Sequence, residues 1–522
     1  MEKVNEFLMK VWSKREIIDG KSFDDILQIE GIPLWWFFDR IFVPHMIPKQ
    51  VNTFSIIDEK REINKMEKIK LKINSYLLKK VITMNERRKL KFFGKVKKKR
   101  ESIKAGTVLF LSYTNHILHD GTVFRIQKLI DGIKEKNINS LVLFVNTLSS
   151  RKYKKYKHED MLQNYFDKEI EINAKILAKR LYQKWMEISK TNKYKMLLKE
   201  NFSYWPYLKY SFDIFFSEEF LYFLAIYYEL SKKILITENI KVVVLTSQNS
   251  IFDKCMIAAA KKANIPLLRI QHGIGEGINP PSSGDDFYKL VFSDSTKNSL
   301  VKLGWPYEKV IVVGPVIFDE IRKYITPKKN KRKNILIATI PFINESGGEK
   351  RYYLKIENIL NKIKETSEDN IILKTHPAEI PLKRVINNYK NCAKKAGLNN
   401  IKVYGSDLTR SQFYQLIQWC DVFVNFGTAA ALEAMIIGRP VVTIKLIDFP
   451  SMYDWMEKNN LAIMITPQDD IKSAIKKALQ NDENLFSRRE EYIKEKCGVI
   501  DGKAHERVVE MISQLAKHGS GP

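Results

Sequence analysis

Cysteine is scarce, with four in 522 residues (Cys255, Cys392, Cys420, Cys497), widely scattered and without a CxxC pair. That spacing excludes a disulfide scaffold and a thiolate zinc site, and it suits a reducing cytosol. The opening MEKVNEFLMKVWSKRE lacks the basic, apolar, small-residue order of a secretory signal, so a cytoplasmic location is expected. The aromatic stretch GIPLWWFFDRIFVPHMIP (31–48) cannot cross a bilayer, because Asp39, Arg40 and His45 interrupt it and Pro33, Pro44 and Pro48 break a helix. No DxD pair stands at a strand end, so no metal is called for. Acids are short relative to bases, 60 against 88, which leaves a formal net charge of +28.

That excess implies an anionic partner or simply well-solvated helix faces. It concentrates in RKLKFFGKVKKKRESIK (88–104), RKYKKYK (151–157) and PKKNKRKN (327–334). No zinc-finger spacing, RRM signature or helix-turn-helix pattern accompanies the charge, so nucleic acid is not expected. An anionic membrane surface at the inner face of the cell membrane is a second candidate. Trp35, Trp36, Phe37 and Phe38, set between prolines, are either an interfacial docking element or the core of an N-terminal subdomain.

With 44% apolar and 28% charged residues the chain is ordinary globular material, too long for one hydrophobic core. Short continuous apolar runs begin at TVLFLS (107–112) and return as SLVLFVNT (140–147), KVVVLTSQ (241–248), PLLRIQHG (266–273), LVFSDS (290–295) and VIVVGP. Helical patterns lie between several of them, including one with Val123, Ile126, Ile130 and Ile133 on one face. After the basic linker TPKKNKRKN (326–334) come ILIATIP (335–341), IILKTHP (371–377), IKVYG (401–405), DVFVNFG (421–427) and VVTIK (441–445). Apolar strands alternating with helices predict parallel sheets covered on both faces. The fold class is therefore α/β. The expected organisation is an N-terminal extension over 1–104, a Rossmann-like domain with a helical insertion over 105–325, a second Rossmann-like domain over 326–485, and a closing segment over 486–522.

In open α/β sheets, ligands sit beyond the carboxyl ends of the strands. In NFGTAAALEA, Gly427 permits a tight turn, Thr428 can cap the helix, the N–H groups behind it suit a phosphate, and Ala429 with its neighbours keeps the helix thin. Glu433 then falls among apolar neighbours at helical spacing, where a carboxylate needs a donor: ribose hydroxyls, or a lysine from an adjacent helix. In LKTHPAEIP, Lys374 and His376 close a strand while Pro377 fixes the backbone, and the imidazole suits a phosphate or a purely structural hydrogen bond. Ser346 and Gly347, in the loop PFINESGGEK, are a weaker phosphate-loop candidate or a plain surface loop.

Tandem Rossmann domains carrying THP and then FGTAAALEAMIIGRPVV resemble the GT-B glycosyltransferases of the bacterial capsule and surface-polysaccharide group: sialyltransferase-like, Kdo-transferase-like and CDP-glycerol glycerophosphotransferase-like enzymes. LRIQHG, GWPYEKVIVVGPVIFDEI and DGKAHER add to the resemblance, which spans roughly residues 105–515. It implies two domains facing a cleft, with donor phosphate and nucleotide held by His376, Pro377 and Thr428, ribose by Glu433, and a C-terminal helix that crosses back. It also implies transfer of a sugar from a nucleotide-sugar co-substrate, a CMP-sugar favoured, to a glycan or lipid-linked acceptor, with no further cofactor.

The base would come from the N-terminal domain. Asp120 in TNHILHDG is the first choice and His119 the runner-up, with Asp120 alternatively capping a helix that starts near Thr122. Glu276 is a second base, while His116, Gln271, His272 and Gly273 would face acceptor or phosphate. Two other readings stand beside this one: a nucleotide-sugar epimerase of similar fold, and a non-enzymatic binder of polyanions or membranes.

Overall fold

The computed structural model describes residues 12–39, 65–90, 107–113, 116–117, 121–145, 160–199, 201–248, 250–274, 278–282, 284–325, 334–341, 347–364, 370–379, 382–399, 401–405, 407–447, 453–480 and 483–518. His119, Asp120, Glu276 and Ser346 lie outside the described residues, as do the basic run 151–157, most of 88–104 and most of 327–334.

Two parallel sheets organise the chain. The first contains β1 (Thr107–Tyr113), β2 (Asn139–Val145), β3 (Asp160–Met161), β4 (Ile240–Leu245), β5 (Leu267–Ile270), β6 (Tyr288–Val291) and β7 (Val310–Val312), in the order β7-β6-β5-β4-β1-β2-β3. Its helices are α1 (Lys65–Leu90), α2 (Gln127–Glu135), α3 (Lys168–Glu187), α4 (Trp205–Phe215), α5 (Glu218–Thr237), α6 (Ile251–Lys262) and α7 (Asp294–Lys302). The second sheet contains β8 (Ile335–Ala338), β9 (Ile371–Lys374), β10 (Lys402–Tyr404), β11 (Val422–Asn425), β12 (Val441–Ile444) and β13 (Ile463–Ile465), in the order β10-β9-β8-β11-β12-β13. Its helices are α8 (Gly348–Lys364), α9 (Leu382–Lys395), α10 (Arg410–Trp419), α11 (Ala430–Ile436), α12 (Ile471–Leu479), α13 (Glu483–Cys497) and α14 (Ala504–His518).

Both sheets follow the doubly wound 3-2-1-4-5-6 order, so this is an α/β, GT-B-type fold of two Rossmann-like halves. Central strands such as β8, β9 and β11 are buried at every position, as a sheet covered on both faces requires. The strand order reverses between β1 and β4 and between β8 and β11, and there the first crossover helices leave opposite faces and open a crevice. The chain does not end where the second sheet does. α14 returns to the first sheet, burying Ala504, Val508, Val509, Ile512 and Leu515 with the outer residues of β1, β4 and β5 and with α2. The contact is close at Gly132 of α2, where an added Cβ would lie 2.8 Å from Val509.

Two expectations change here. Residues 34–39 of the aromatic stretch form no interfacial element: Trp35, Trp36, Phe37 and Phe38 are buried. Trp35 stacks on Phe212 of α4 at 5.9 Å, and an added Cβ at Gly284 would meet the Trp36 ring at 2.4 Å. Buried Lys254 of α6 pairs with Asp39 and donates to the Trp36 carbonyl, so the only charge in the segment's described part is neutralised inside the core. The helix expected near Thr122 begins instead at Gln127, which removes the capping alternative for Asp120. An isolated bridge between Ile117 and Val123 and a turn with Arg125 at φ 77° occupy the intervening residues.

Candidate functional site

The carboxyl ends of β9, β8 and β11 form one side of the site. β9 delivers Lys374, Thr375 and His376 in succession, and the turn behind them is held by an acid that sequence reading passed over. Glu379 is buried. Its Oε2 accepts from the Thr339 hydroxyl (2.5 Å) and the His376 N–H (2.7 Å), and its Oε1 accepts from the Tyr389 hydroxyl (2.7 Å). Tyr389 in turn lies 2.9 Å from the Tyr352 hydroxyl, which donates to the Ile340 carbonyl at 2.7 Å. Burial pushes the Glu379 carboxyl upward, and these donors oppose that shift. The network ties the ends of β8 and β9 to α8 and α9.

His376 is therefore presented from a fixed backbone. Its Nδ1 accepts the Ala378 N–H at 3.1 Å, which assigns the proton to Nε2. Burial, with Lys374 beside it, lowers the imidazole to about 4, so the ring is neutral near pH 7 and acts as an N–H donor. Lys374 is buried, and burial lowers its ammonium to about 8 while Glu433, Glu379 and Asp407 resist the shift. The same ammonium is coupled to Glu433 and to His376. Pro377 is exposed beyond them.

Glu433 finds a donor from the neighbouring helix, an arginine rather than a lysine. Its Oε1 accepts from Arg410 Nη2 (2.7 Å) and from the Tyr414 hydroxyl (3.3 Å), both on α10. Arg410 also donates to Tyr414 through Nε at 2.5 Å, and its guanidinium lies 4.8 Å from the ring centroid of Phe124 in the first domain. The Glu433 ion pair thus reaches the opposite wall of the cleft. A signal for Arg410 was present: Thr409 and Gln412 make a capping box, which marks a helix start directly before it.

The turn after β11 differs from the expected phosphate cup. The Asn425 Oδ1 accepts the N–H groups of Gly427 (2.8 Å) and Thr428 (3.3 Å), and the Thr428 hydroxyl accepts that of Ala430 (2.9 Å). These three donors are spent within the turn, leaving little of the helix-tip anion site that the spacing suggested. Gly427, at φ 96°, is where the turn needs a residue without a side chain. Ala429 is exposed at the lip, and Gly347 lies in the exposed turn leading into α8.

Across the cleft the strand ends of the first sheet contribute His116, Arg125 and His272. His116 Nδ1 lies 3.2 Å from the Ser112 hydroxyl. Burial, then the charges of Arg125 and His272, lowers its imidazole to about 4. Arg125 lies 4.6 Å over the Phe124 ring, so one guanidinium from each domain addresses the same aromatic face or its reverse. The Gln271 side chain is engaged by backbone, its amide donating to the Gly273 carbonyl (2.9 Å) and accepting from the Phe292 N–H (2.9 Å), which anchors the loop that carries His272. Among the described residues no cluster of His, Cys, Asp and Glu could hold a metal.

The sequence model of the UDP-N-acetylglucosamine 2-epimerase family matches residues 288–513, from β6 through most of α14. No curated protein matches the chain. Among solved structures, the putative UDP-N-acetylglucosamine 2-epimerase of Listeria monocytogenes is 13% identical, with 80% of this chain and 98% of that one covered at a TM-score of 0.48. The UDP-GlcNAc 2-epimerase of Neisseria meningitidis, bound to UDP-GlcNAc, is 14% identical, with 78% and 100% covered and a TM-score of 0.46. A glycosyltransferase of Rickettsia africae is 13% identical, with 80% and 100% covered and a TM-score of 0.39. With overlaps this loose, the architecture rests on the chain's own two sheets. The family match overturns the expectation of a CMP-sugar glycosyltransferase, since it falls on the alternative, an epimerase family named for a UDP-linked sugar. The short THP and FGTAAALEA motifs, read as a nucleotide site, do not separate transfer from epimerisation.

Proposed function

We propose that the chain is a nucleotide-sugar epimerase that binds a UDP-sugar of the UDP-N-acetylglucosamine type and inverts its C2. The match over residues 288–513 carries this reading, because that segment contains the whole second sheet with Lys374, His376 and Glu433 on one edge. In this reading the Lys374 ammonium and the His376 Nε2–H hold phosphate oxygens, and Glu433, with Oε1 already engaged by Arg410, offers Oε2 to the ribose. Pro377, Thr428 and Ala429 shape the same lip, with Gly347 at its margin.

Inverting a carbon that bears hydrogen requires a proton to leave one face and return to the other. Groups on two separate loops suit that demand, and the first sheet ends in two such loops. Asp120, with His119 behind it, and Glu276 are the bases this proposal assigns, one from each loop. His116, His272 and Gly273 line the approach. A station at an anionic membrane face also belongs to the proposal, by a surface other than residues 34–39.

Incubating the protein with UDP-N-acetylglucosamine in D₂O and following the sugar by NMR tests the assignment. The C2 epimer should accumulate with deuterium at C2, and UDP should raise the melting temperature while CMP does not. Absence of both isomer and deuterium, with UDP binding retained, would remove the epimerase reading and leave a nucleotide site of another activity.

A further inference from the structure

Among the described helices, α1 carries the longest series of exposed apolar side chains. It is mounted on the helical cover of the first domain, with the Tyr227 hydroxyl of α5 donating to Glu86 at 2.7 Å, Arg87 paired with Glu219, and Ile82 turned to the core. Its other side carries Met66 (62% exposed), Ile73 (51%), Leu77 (54%) and Met84 (44%), and Ile69, Tyr76 and Val81 are exposed beside them. The successive spacings of three and four residues put them on one stripe of a helix about 39 Å long. Single exposed apolar residues are ordinary on a protein surface, whereas a continuous stripe signals a partner.

The charge around the stripe selects the partner. Lys65, Lys68, Lys70, Lys72 and Lys80 are all exposed, whereas both acids of the helix, Glu67 and Glu86, are only partly so. A second copy of this face would set lysine against lysine, and a nucleic acid would leave the apolar side chains without a partner. An anionic bilayer accepts both, with apolar side chains entering the acyl boundary and lysine stems reaching back to the phosphates. We infer that the outer face of α1 docks the protein on an anionic lipid membrane, lying in the plane of the interface. No described helix is long and apolar enough to cross a membrane, so this contact lies on the surface. The inference stands independently of the nucleotide-sugar reading.

Flotation of the full chain with vesicles of mixed phosphatidylglycerol and phosphatidylcholine, against vesicles of phosphatidylcholine alone, tests it. Binding is expected only to the anionic vesicles and should weaken as salt is raised. The triple change Ile69→Ser, Ile73→Ser and Leu77→Ser should lower the partition coefficient at least about tenfold, because it removes apolar area from the interface. The pair Lys70→Ser and Lys80→Ser, which touches no packed residue, should lower it several-fold and flatten the salt dependence. Should the triple variant lose stability, the lysine pair decides alone. Wild-type protein that ignores anionic vesicles overturns the inference, as does a triple variant that binds like wild type. It is likewise overturned by a wild-type dimer that the triple change dissociates, or by duplex DNA binding that the triple change abolishes.

Discussion

On the C-terminal side of the cleft each cation is matched to a carboxylate: Arg410 to Glu433 at 2.7 Å, and Lys374 to the fields of Glu433, Glu379 and Asp407. On the N-terminal side the described groups are His116, Arg125 and His272, and burial, then the charges of Arg125 and His272, push His116 away from its charged form. Both sides stand on the same strand order, so the difference lies in the loops and not in the scaffold. A wall whose charges are already matched keeps its geometry when a ligand arrives. The facing wall brings His116, Arg125 and His272 together, and there an anion or a transferred proton changes the energy most. The comparison breaks if disturbing the matched wall proves harmless.

The largest effect should come from Glu379. Glu379→Ala leaves the Thr339 hydroxyl, the His376 N–H and the Tyr389 hydroxyl short of a partner in a buried place, a loss of about 3 kcal/mol. Urea denaturation should show it as a lower midpoint at unchanged slope. Glu379→Gln, which keeps one acceptor oxygen, should lose less than half as much. Equal losses would mean that the carboxylate does not hold the loop.

Next is the Arg410–Glu433 ion pair of the C-terminal wall, whose guanidinium reaches across to Phe124. Arg410→Met removes the cation from Glu433 and its guanidinium from Phe124, and should cost about 2 kcal/mol. A double-mutant cycle with Glu433→Gln isolates the pair. A coupling energy near zero would show that Glu433 does not hold Arg410 in place.

Much of this was legible in the sequence, and the misses have physical causes. Apolar runs marked every central strand, because a strand buried on both faces must be apolar throughout. β3 and β13 escaped; each is an edge strand, and β3 has only two residues. Lys374, His376 and Glu433 were found from their places after strands, but Glu379 was not, since nothing in HPAE shows whether an acid turns inward. Trp35 and Trp36 stood between docking element and core and are core, while residues 65–90 drew no expectation and form α1 with its exposed apolar stripe. Composition is the same before and after folding, and only the packing of a neighbour such as α4 decides which side chains face water. The activity was misread because the short motifs, read as a nucleotide site, suit a transferase and an epimerase alike.

Acid should weaken the two walls together. In the unfolded chain an imidazole takes up its proton near pH 6.5, but His116 and His376 in the folded protein do so only at about 4. Between those values the unfolded state binds more protons, so stability falls as pH drops from 6.5 to about 4 and then levels off. The combined loss should be read as a falling melting temperature across that window. His116→Gln and His376→Gln should each remove part of the slope. A slope unchanged in both variants would place the acid sensitivity elsewhere.

The smallest effect separates charge from position at Lys374. Its ammonium is lowered by burial to about 8, so in the free protein the charge is present below that pH and disappears above it. If that charge holds a phosphate, the affinity for UDP should weaken as pH rises through 8, by about tenfold, or about 1.4 kcal/mol, when the proton is gone. A bound phosphate favours the charged form, so the break in the complex should move to higher pH. Lys374→Met should bind UDP weakly at every pH and show no break, while the His376→Gln variant should keep the break and lose affinity evenly. Titration calorimetry from pH 7 to about 9.5 reads both. A break that survives in Lys374→Met would assign it to another group and release Lys374 from the phosphate, leaving it as a buried counter-charge to Glu433 and Glu379.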